Sequence, residues 1–442
     1  AHYTAPAIVD AHWKLAQHLG FGGGKYLETS AGIGYYLGMM PPALAGKTKS
    51  TAVELDSLSG RMLGHLYPDT KVKVQGFENL IAPDDFYDLV ASNVPFGKYG
   101  LHEERYNHLD ANIHDHFFLK SADKVAPGGL VMHITSTGTL DKPDSKIREE
   151  LAKTCEFVGA IRFPSGAHQD NAGTQVVTDM VILRKKRPNV PPVDPNVTPP
   201  EAEAKEPGFT GTTTDSLGRL YHWVNGVRVP GDHWTQTTQV PDPDGGPEPI
   251  TVNAYFANNP QMILGRLDRT GTMYRKGSVN VSGSNDHVMR QIREKMKAEG
   301  RKSRTPEEQA QYEQAIAASA ADYQSSLQDA LASFPAGIMD VQKGTTSSGV
   351  EQQEVEGSVK KGGYQVRGGK VLKRVGDAMQ EQQIDPATAE KITAHIVVRD
   401  AVRKCLDDQI AGLDATASRQ ALNEAYDAFK AKHGFLNDEA NF

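Results

Sequence analysis

The sequence predicts an α/β protein built on a mostly parallel β-sheet with helices on both faces. Three observations predict it. From Tyr3 to about Pro188, short apolar runs alternate with helix-patterned stretches and glycine-rich turns. The runs are strand-length and hydrophobic, as strands covered on both faces must be. The composition is ordinary for globular domains, with 442 residues, 38% apolar and 23% charged, a length that suits two or three domains.

The elements follow in order. "KYLETSAGIG" reads as a strand and a turn, and "STAVELD", "KVKVQGF", "FYDLVASN", "GGLVMHITS", "FVGAIRFP" and "DMVILRKK" supply six more strands. Phe118, Ala122 and Val125 recur at helical spacing, and that helix is expected to stop at Pro127-Gly128-Gly129. Residues 1–188 thus form the α/β part, and 189–206, rich in proline and acid, read as a linker. Residues 207–285 read as β-rich, with the turn "VNGV", and 286–442 as helical with a β-hairpin near 362–376, turned by Gly368-Gly369.

Bulk properties exclude several classes. No apolar run approaches a membrane span, and no basic-then-apolar leader opens the sequence, so no membrane partner is expected. Cys155 and Cys405 alone make neither a disulfide framework nor a zinc site, and no metal is expected; the compartment predicted is the cytoplasm. A net charge of -7 argues against a nonspecific nucleic-acid coat but leaves room for one basic face.

The chemistry is expected at strand ends. After the first strand ends at Glu28, Ala31-Gly32-Ile33-Gly34 makes a tight turn where backbone can approach a ligand. Position 37 is leucine, so the G-x-G-x-x-G/A dinucleotide pattern is broken, and a ligand without a pyrophosphate is preferred. Glu54, some twenty residues on, suits ribose hydroxyls; Asp56 is the other candidate, or a helix N-cap. Gln75 and Phe77 stand where an adenine ring could be bonded and covered. Asn93-Val94-Pro95-Phe96 ends the fourth strand and reads as either a plain turn or a pocket for a flat, amine-bearing ring. In the second reading the Asn93 amide and the Val94 carbonyl accept the amine hydrogens and Phe96 stacks on the ring. Pro95 holds Val94 extended.

In this order the motifs resemble those of S-adenosylmethionine-dependent adenine-N6 DNA methyltransferases. Asn93-Val94-Pro95-Phe96 matches their Asn/Asp/Ser-Pro-Pro-Tyr/Phe motif except at Val94, whose carbonyl is the group used. Tyr3-Thr4 resembles their N-terminal Tyr-Thr-Pro segment, and "ETSAGIG" their first motif, with Thr29 in place of proline. The resemblance implies a Rossmann-like seven-stranded methyltransferase sheet over 1–188 and target recognition in 207–285. It implies S-adenosylmethionine at Tyr3, Thr4, Glu28, Ser30, Ala31, Gly32, Gly34, Glu54, Leu55, Gln75, Gly76, Phe77 and Asn93. It implies Asn93, Val94, Pro95 and Phe96 as the catalytic motif, acting on an adenine flipped out of DNA.

A wider resemblance is carried by "YNHLDANIHDHFFLKSADKVAPGGL", "GAIRFPSGAHQDNAGTQVVTDMVIL", "NPQMILGRLDRTGTMYR" and "LNEAYDAFKAKHGFLND". These resemble the methylase portion of large methyltransferase–helicase proteins of phages, mobile elements and DISARM-like anti-phage systems. Helicase or other defence-system subunits are the partners this implies, in antiviral defence, restriction-modification or anti-restriction. No helicase nucleotide-binding motif is found in the chain. Two alternatives stay open: a glutamine-N5 protein methyltransferase, which uses the same fourth motif, and a non-catalytic DNA- or partner-binding module.

Blander readings hold for other features. His114 and His116 are expected at the surface, and the basic strand end "RKKRP" at 184–188 in solvent. Asn171, Thr174 and Gln175 suit either a DNA-facing loop or a turn.

Overall fold

Apolar strands separated by helix-length connections require crossovers, and the chain makes them. The central sheet comprises β1 (Gly24–Glu28), β2 (Thr48–Glu54), β3 (Lys71–Val74), β4 (Tyr87–Asn93), β5 (Val125–Ser136), β6 (Cys155–Phe163) and β7 (Thr178–Lys185). Its strand order is β3-β2-β1-β4-β5-β7-β6. β1 to β5 pair in parallel, and β7 runs antiparallel between β5 and β6. The chain winds outward from β1 to β3, then returns to place β4 on the other side of β1. That reversal makes the carboxyl ends of β1 and β4 a topological switch point, where open α/β sheets bind ligands. The fold is thus Rossmann-like, with the mostly parallel sheet that the alternation of elements predicts.

The computed structural model describes residues 4–168, 176–188, 190, 208–243, 245–271, 278–341, 364–367, 370–375, 378–381, 384–410 and 414–436. Tyr3, Asn171, Thr174, Gln175, nearly all of the linker 189–206 and the Gly368-Gly369 turn lie outside the described residues. The chain divides into two units, Ala1–Thr345 and Thr346–Phe442.

In the first unit, helix Pro6–His18 buries Ile8, Val9, Trp13 and Leu15 in the sheet's core. Helix Ile113–Lys124 is buried nearly all round. It ends at Lys124 rather than at Pro127-Gly128-Gly129, and β5 begins at Val125. Between Tyr87 and Leu89 of β4, the paired residues of β5 jump from Val125 to Leu130, so the proline and glycines form a bulge inside the strand. His114 and His116 are 5% and 1% exposed, against the expectation of a surface position. Apolar spacing marks one helix face, whereas the 99–112 segment covers the other: Glu103 accepts from His116 Nε2 (2.9 Å) and Lys120 Nζ (3.0 Å).

The β-rich segment shares this core. Asn225 (φ 50°) and Gly226 (φ 78°) form the two-residue turn joining strands Leu220–Val224 and Val227–Val229, as "VNGV" predicts. Trp234 stacks on Phe157 of β6 (4.9 Å between centroids, 10°), and Tyr255 meets the same ring edge-on. Leu264 N donates to Arg162 O (2.9 Å), covering the β6 edge. Arg162 is buried between Asp179 (2.8 Å, bidentate) and Asp141 (2.8 Å). Helices Asp286–Ala298 and Pro306–Ala332 follow, the second opening on a Thr305–Glu308 capping box. Two residues of the basic strand end are buried, correcting the solvated reading for Arg184 and Arg187, while Lys186 is exposed. Arg184 reaches Glu156, the Gly218 carbonyl and the Ile338 carbonyl, and Arg187 pairs with Asp340.

The second unit holds strands Tyr364–Arg367, Lys370–Val375 and Ala378–Glu381 and helices Pro386–Ile410 and Thr416–His433. The expected hairpin therefore has a third strand. His395 packs edge-on against Phe429 between the two helices (4.5 Å).

Candidate active site

Beyond β1 the chain turns back under its own backbone. Ala31 N donates to Val53 O (2.9 Å) and Gly34 N to Ala31 O (2.9 Å). Gly32 (φ 57°) and Gly34 (φ 90°) supply the left-handed geometry. A Cβ at Gly34 would lie 2.4 Å from the Tyr67 ring and 2.6 Å from Leu63, so glycine there lets helix Ser57–Leu66 seat against the loop.

Two acids follow β2, and the structure separates their roles. Asp56 caps helix Ser57–Leu66, accepting from Ser59 N (2.8 Å). Glu54 faces the glycine loop: one oxygen accepts from Gly32 N (2.7 Å), the other from Asp56 N (2.8 Å). Each carboxylate oxygen keeps a lone pair for a hydroxyl donor. Leu55 projects outward at 75% exposure, leaving an apolar surface beside the loop. Gln75 N continues the ladder to Glu54 O (2.9 Å). Gly76 and Phe77 are buried, and Phe77 packs on Phe117 (4.9 Å) as part of the core.

The ends of β1 and β4 are joined by hydroxyls. Ser30 Oγ lies 2.9 Å from Ser92 Oγ and donates to Asn93 O (2.7 Å). Asn93 Nδ2 donates to Thr4 Oγ1 (2.9 Å), so the N-terminal segment meets the amide directly. Val94 buries its side chain in the core, while its amide donates to Ile134 O (3.0 Å). Pro95 and Phe96 are half-buried beside Val94.

Several buried oxygens here find no hydrogen-bond partner among the described residues: Glu28 Oε2, Thr29 Oγ1 and Asn93 Oδ1. Burial, reinforced by the nearby Glu54 charge, pushes the Glu28 carboxyl well above its ordinary range. Unpaired buried polar atoms cost stability, so a cluster at a switch point marks a site shaped for something else. Acceptor oxygens beneath a glycine turn, with a hydroxyl-binding acid alongside, fit a ligand with ammonium, amine and ribose hydroxyl donors. S-adenosylmethionine has that donor set.

Of the residues expected at the site, the structure joins Thr4 and Ser30 to Asn93, next to Val94, and Gly32 to Glu54. The sequence reading passes over Ser92, whose hydroxyl joins the two strand ends, and Asp115, and it puts His114 at the surface rather than in a buried polar pair. The "NIHDHFF" stretch carried that signal, because two histidines and an acid open a helix that is otherwise apolar toward the sheet.

No protein-family model matches the chain. It is 33% identical over 193 residues to the Defense against restriction protein B of Escherichia phage P1, an alignment covering 42% of this chain and 8% of that protein's length. Among solved structures, one from Listeria monocytogenes, described as a class I S-adenosylmethionine-dependent methyltransferase, aligns at 17% identity and a TM-score of 0.38, over 43% of this chain and 64% of that one. The methyltransferase subunit of a type I restriction-modification system from Streptococcus thermophilus aligns at 16% and 0.37, over 42% and 46%.

Proposed function

We propose that this chain transfers the methyl group of S-adenosylmethionine to the N6 amine of adenine in DNA. The observation that carries the reading is Asn93. Its amide nitrogen is held by Thr4, and its buried Oδ1 is left without a partner at the carboxyl end of β4. An acceptor in that position waits for an N–H donor. The Val94 carbonyl, fixed by Pro95, is the second acceptor for the same amine.

The bound cofactor supplies an electrophilic methyl group. Glu54 would receive ribose hydroxyls while keeping the glycine loop in place, and Glu28 and Ser30 would hold the cofactor from the β1 end. Leu55, Gln75, Gly76 and Phe77 would form the adenine side of its site. Asn93 and Val94 would hold the target amine and Phe96 would stack on the target ring. Positioning of this kind lowers the barrier without a strong general base. In duplex DNA the adenine must leave the stack to reach these groups. The segment 207–285, fused to the β6 side of the sheet, is assigned to target recognition.

The phage relative's name supports a place in defence against restriction; DNA and further defence or helicase subunits are the partners proposed with it. Among the described residues no helix is long and apolar enough to cross a membrane.

The test is tritiated methyl transfer from S-adenosylmethionine to adenine-unmethylated DNA, with protein as the competing acceptor. Label in N6-methyladenine supports the reading, and label in glutamine side chains moves it to the protein-methylating alternative. Asn93→Ala should lower transfer about 10²- to 10³-fold while calorimetric cofactor binding persists. A chain that binds DNA but transfers no methyl group is the non-catalytic module.

A further inference from the structure

The buried polar atoms lacking a partner are not confined to the β1–β4 crevice. Among the described residues, both ring nitrogens of His114 and Oδ2 of Asp115 also find no hydrogen-bond partner. Both residues are more than nine-tenths buried. His114 Nε2 stands 3.7 Å from Asp115 Oδ1, beyond hydrogen-bond length.

Their place in the fold is defined from two sides. Asn93 of β4 pairs with Ile134 of β5, and Val94 N donates to Ile134 O. Ser136, two residues further along β5, closes that strand; a Cβ built on Gly138 would lie 3.3 Å from Ser136 Oγ and 3.7 Å from His114 Nε2. His114 therefore sits at the carboxyl edge of the strand beside Asn93. Adjacent strands are ~4.8 Å apart and two residues advance ~6.6 Å, a separation on the scale of one purine. The segment that leaves the amine motif at Val94 returns to this same helix end, where Ile113 N donates to Tyr99 O (2.7 Å).

We propose that His114 and Asp115 form the second wall of the target pocket, hydrogen-bonding the ring edge of the base whose amine Asn93 holds. This rests on the methyl-transfer reading above. A purine offers ring nitrogens that accept as well as an amine that donates, and Asn93 and Val94 provide acceptors only. A neutral imidazole contributes one donor and one acceptor. Burial lowers the His114 pKa to about 4, with Lys142 nearby acting the same way. Asp115 is raised by burial to about 6, against the opposing pull of Lys142 and Arg148. The imidazole supplies the donor that the amine motif lacks, with the Asp115 carboxylate beside it as a further acceptor, and the pair so acts on specificity and positioning.

The experiment uses the full chain and three variants. His114→Phe keeps ring volume without either hydrogen-bonding group, His114→Gln restores one donor and one acceptor, and Asp115→Asn removes the charge. Tritium transfer to DNA is measured with S-adenosylmethionine affinity by calorimetry and a melting curve for each protein. Expected is a ten- to hundredfold fall in kcat/KM for DNA in His114→Phe, roughly the loss for a missing polar contact to substrate. Cofactor affinity should stay within about twofold, and most of the lost activity should return in His114→Gln. Equal activity of His114→Phe and wild type overturns the inference and leaves the methyl-transfer reading standing. So does a loss that tracks the melting curve and is not rescued by glutamine. No label in DNA with the wild-type chain overturns both.

Discussion

Two places in the sheet bury polar groups, and they do it in opposite ways. At the β6–β7 side, the Arg162 guanidinium lies between two carboxylates, bidentate to Asp179 and bonded to Asp141, over the face of Phe256 (4.2 Å). At the carboxyl ends of β1, β4 and β5, buried oxygens and ring nitrogens are left without partners among the described residues. The first cluster is complete and ties the β-rich segment to the sheet. The second leaves its acceptors and ring nitrogens open, and the proposed ligand site rests on that. Buried polarity alone does not carry the proposal; unsatisfied buried polarity at a switch point does.

The contrast can be broken at its strongest point first. Arg162→Ala leaves Asp179 buried without its guanidinium partner and part-buried Asp141 with only the Asn253 amide, and should cost about 3–5 kcal/mol, read as a lowered denaturant midpoint. A loss below about 1 kcal/mol would show that water replaces the guanidinium and that the cluster is less buried than it stands here. Asn93→Ala, which abolishes an acceptor already unpaired, should change stability by no more than about 1 kcal/mol through its Thr4 bond. Matching stability losses in the two variants would erase the distinction between the clusters.

A third prediction concerns a buried group that titrates. His222 is fully buried, and desolvation lowers its pKa to about 3. The unfolded chain takes up a proton near pH 6.5 that the folded chain refuses, so the stabilisation is full above that pH. It is lost as pH falls from about 6.5 toward 3, by about 1.4 kcal/mol per unit. His222→Asn should flatten the pH dependence of stability by that slope relative to wild type. An unchanged slope rules the histidine out. The smallest effect is expected at the turn: Gly226→Ala forces a Cβ onto a left-handed residue and should cost about 1 kcal/mol, read in the same denaturant titration.

Local pattern sufficed for the strands. All seven apolar runs became strands of one sheet, and the glycine turn, Glu54 and Asn93 stand at its carboxyl edge in the order read. What eluded the pattern depends on partners far along the chain. Arg184 and Arg187 look like a solvated basic end until Ile338 and Asp340 arrive from some 150 residues downstream. His116 and Lys120 look exposed until Glu103 folds over them. A helical period reports which face meets the sheet and says nothing of a loop laid across the other face. Phe77, read as a possible ring cover, packs on Phe117 as well, a contact that local order could not show.

The core shared by β6 and the β-rich segment also governs where this chain can be cut. The composition break near Pro188 invites a boundary, yet a fragment ending there strips Trp234 and Tyr255 from Phe157. It also removes the Thr235 carbonyl from the buried Arg148 guanidinium. An aromatic ring and a charged group would be uncovered together, one inviting aggregation and the other losing an acceptor. A fragment meant to fold alone has to keep residues through the return of Phe334 and Ile338 to that core, well past the linker.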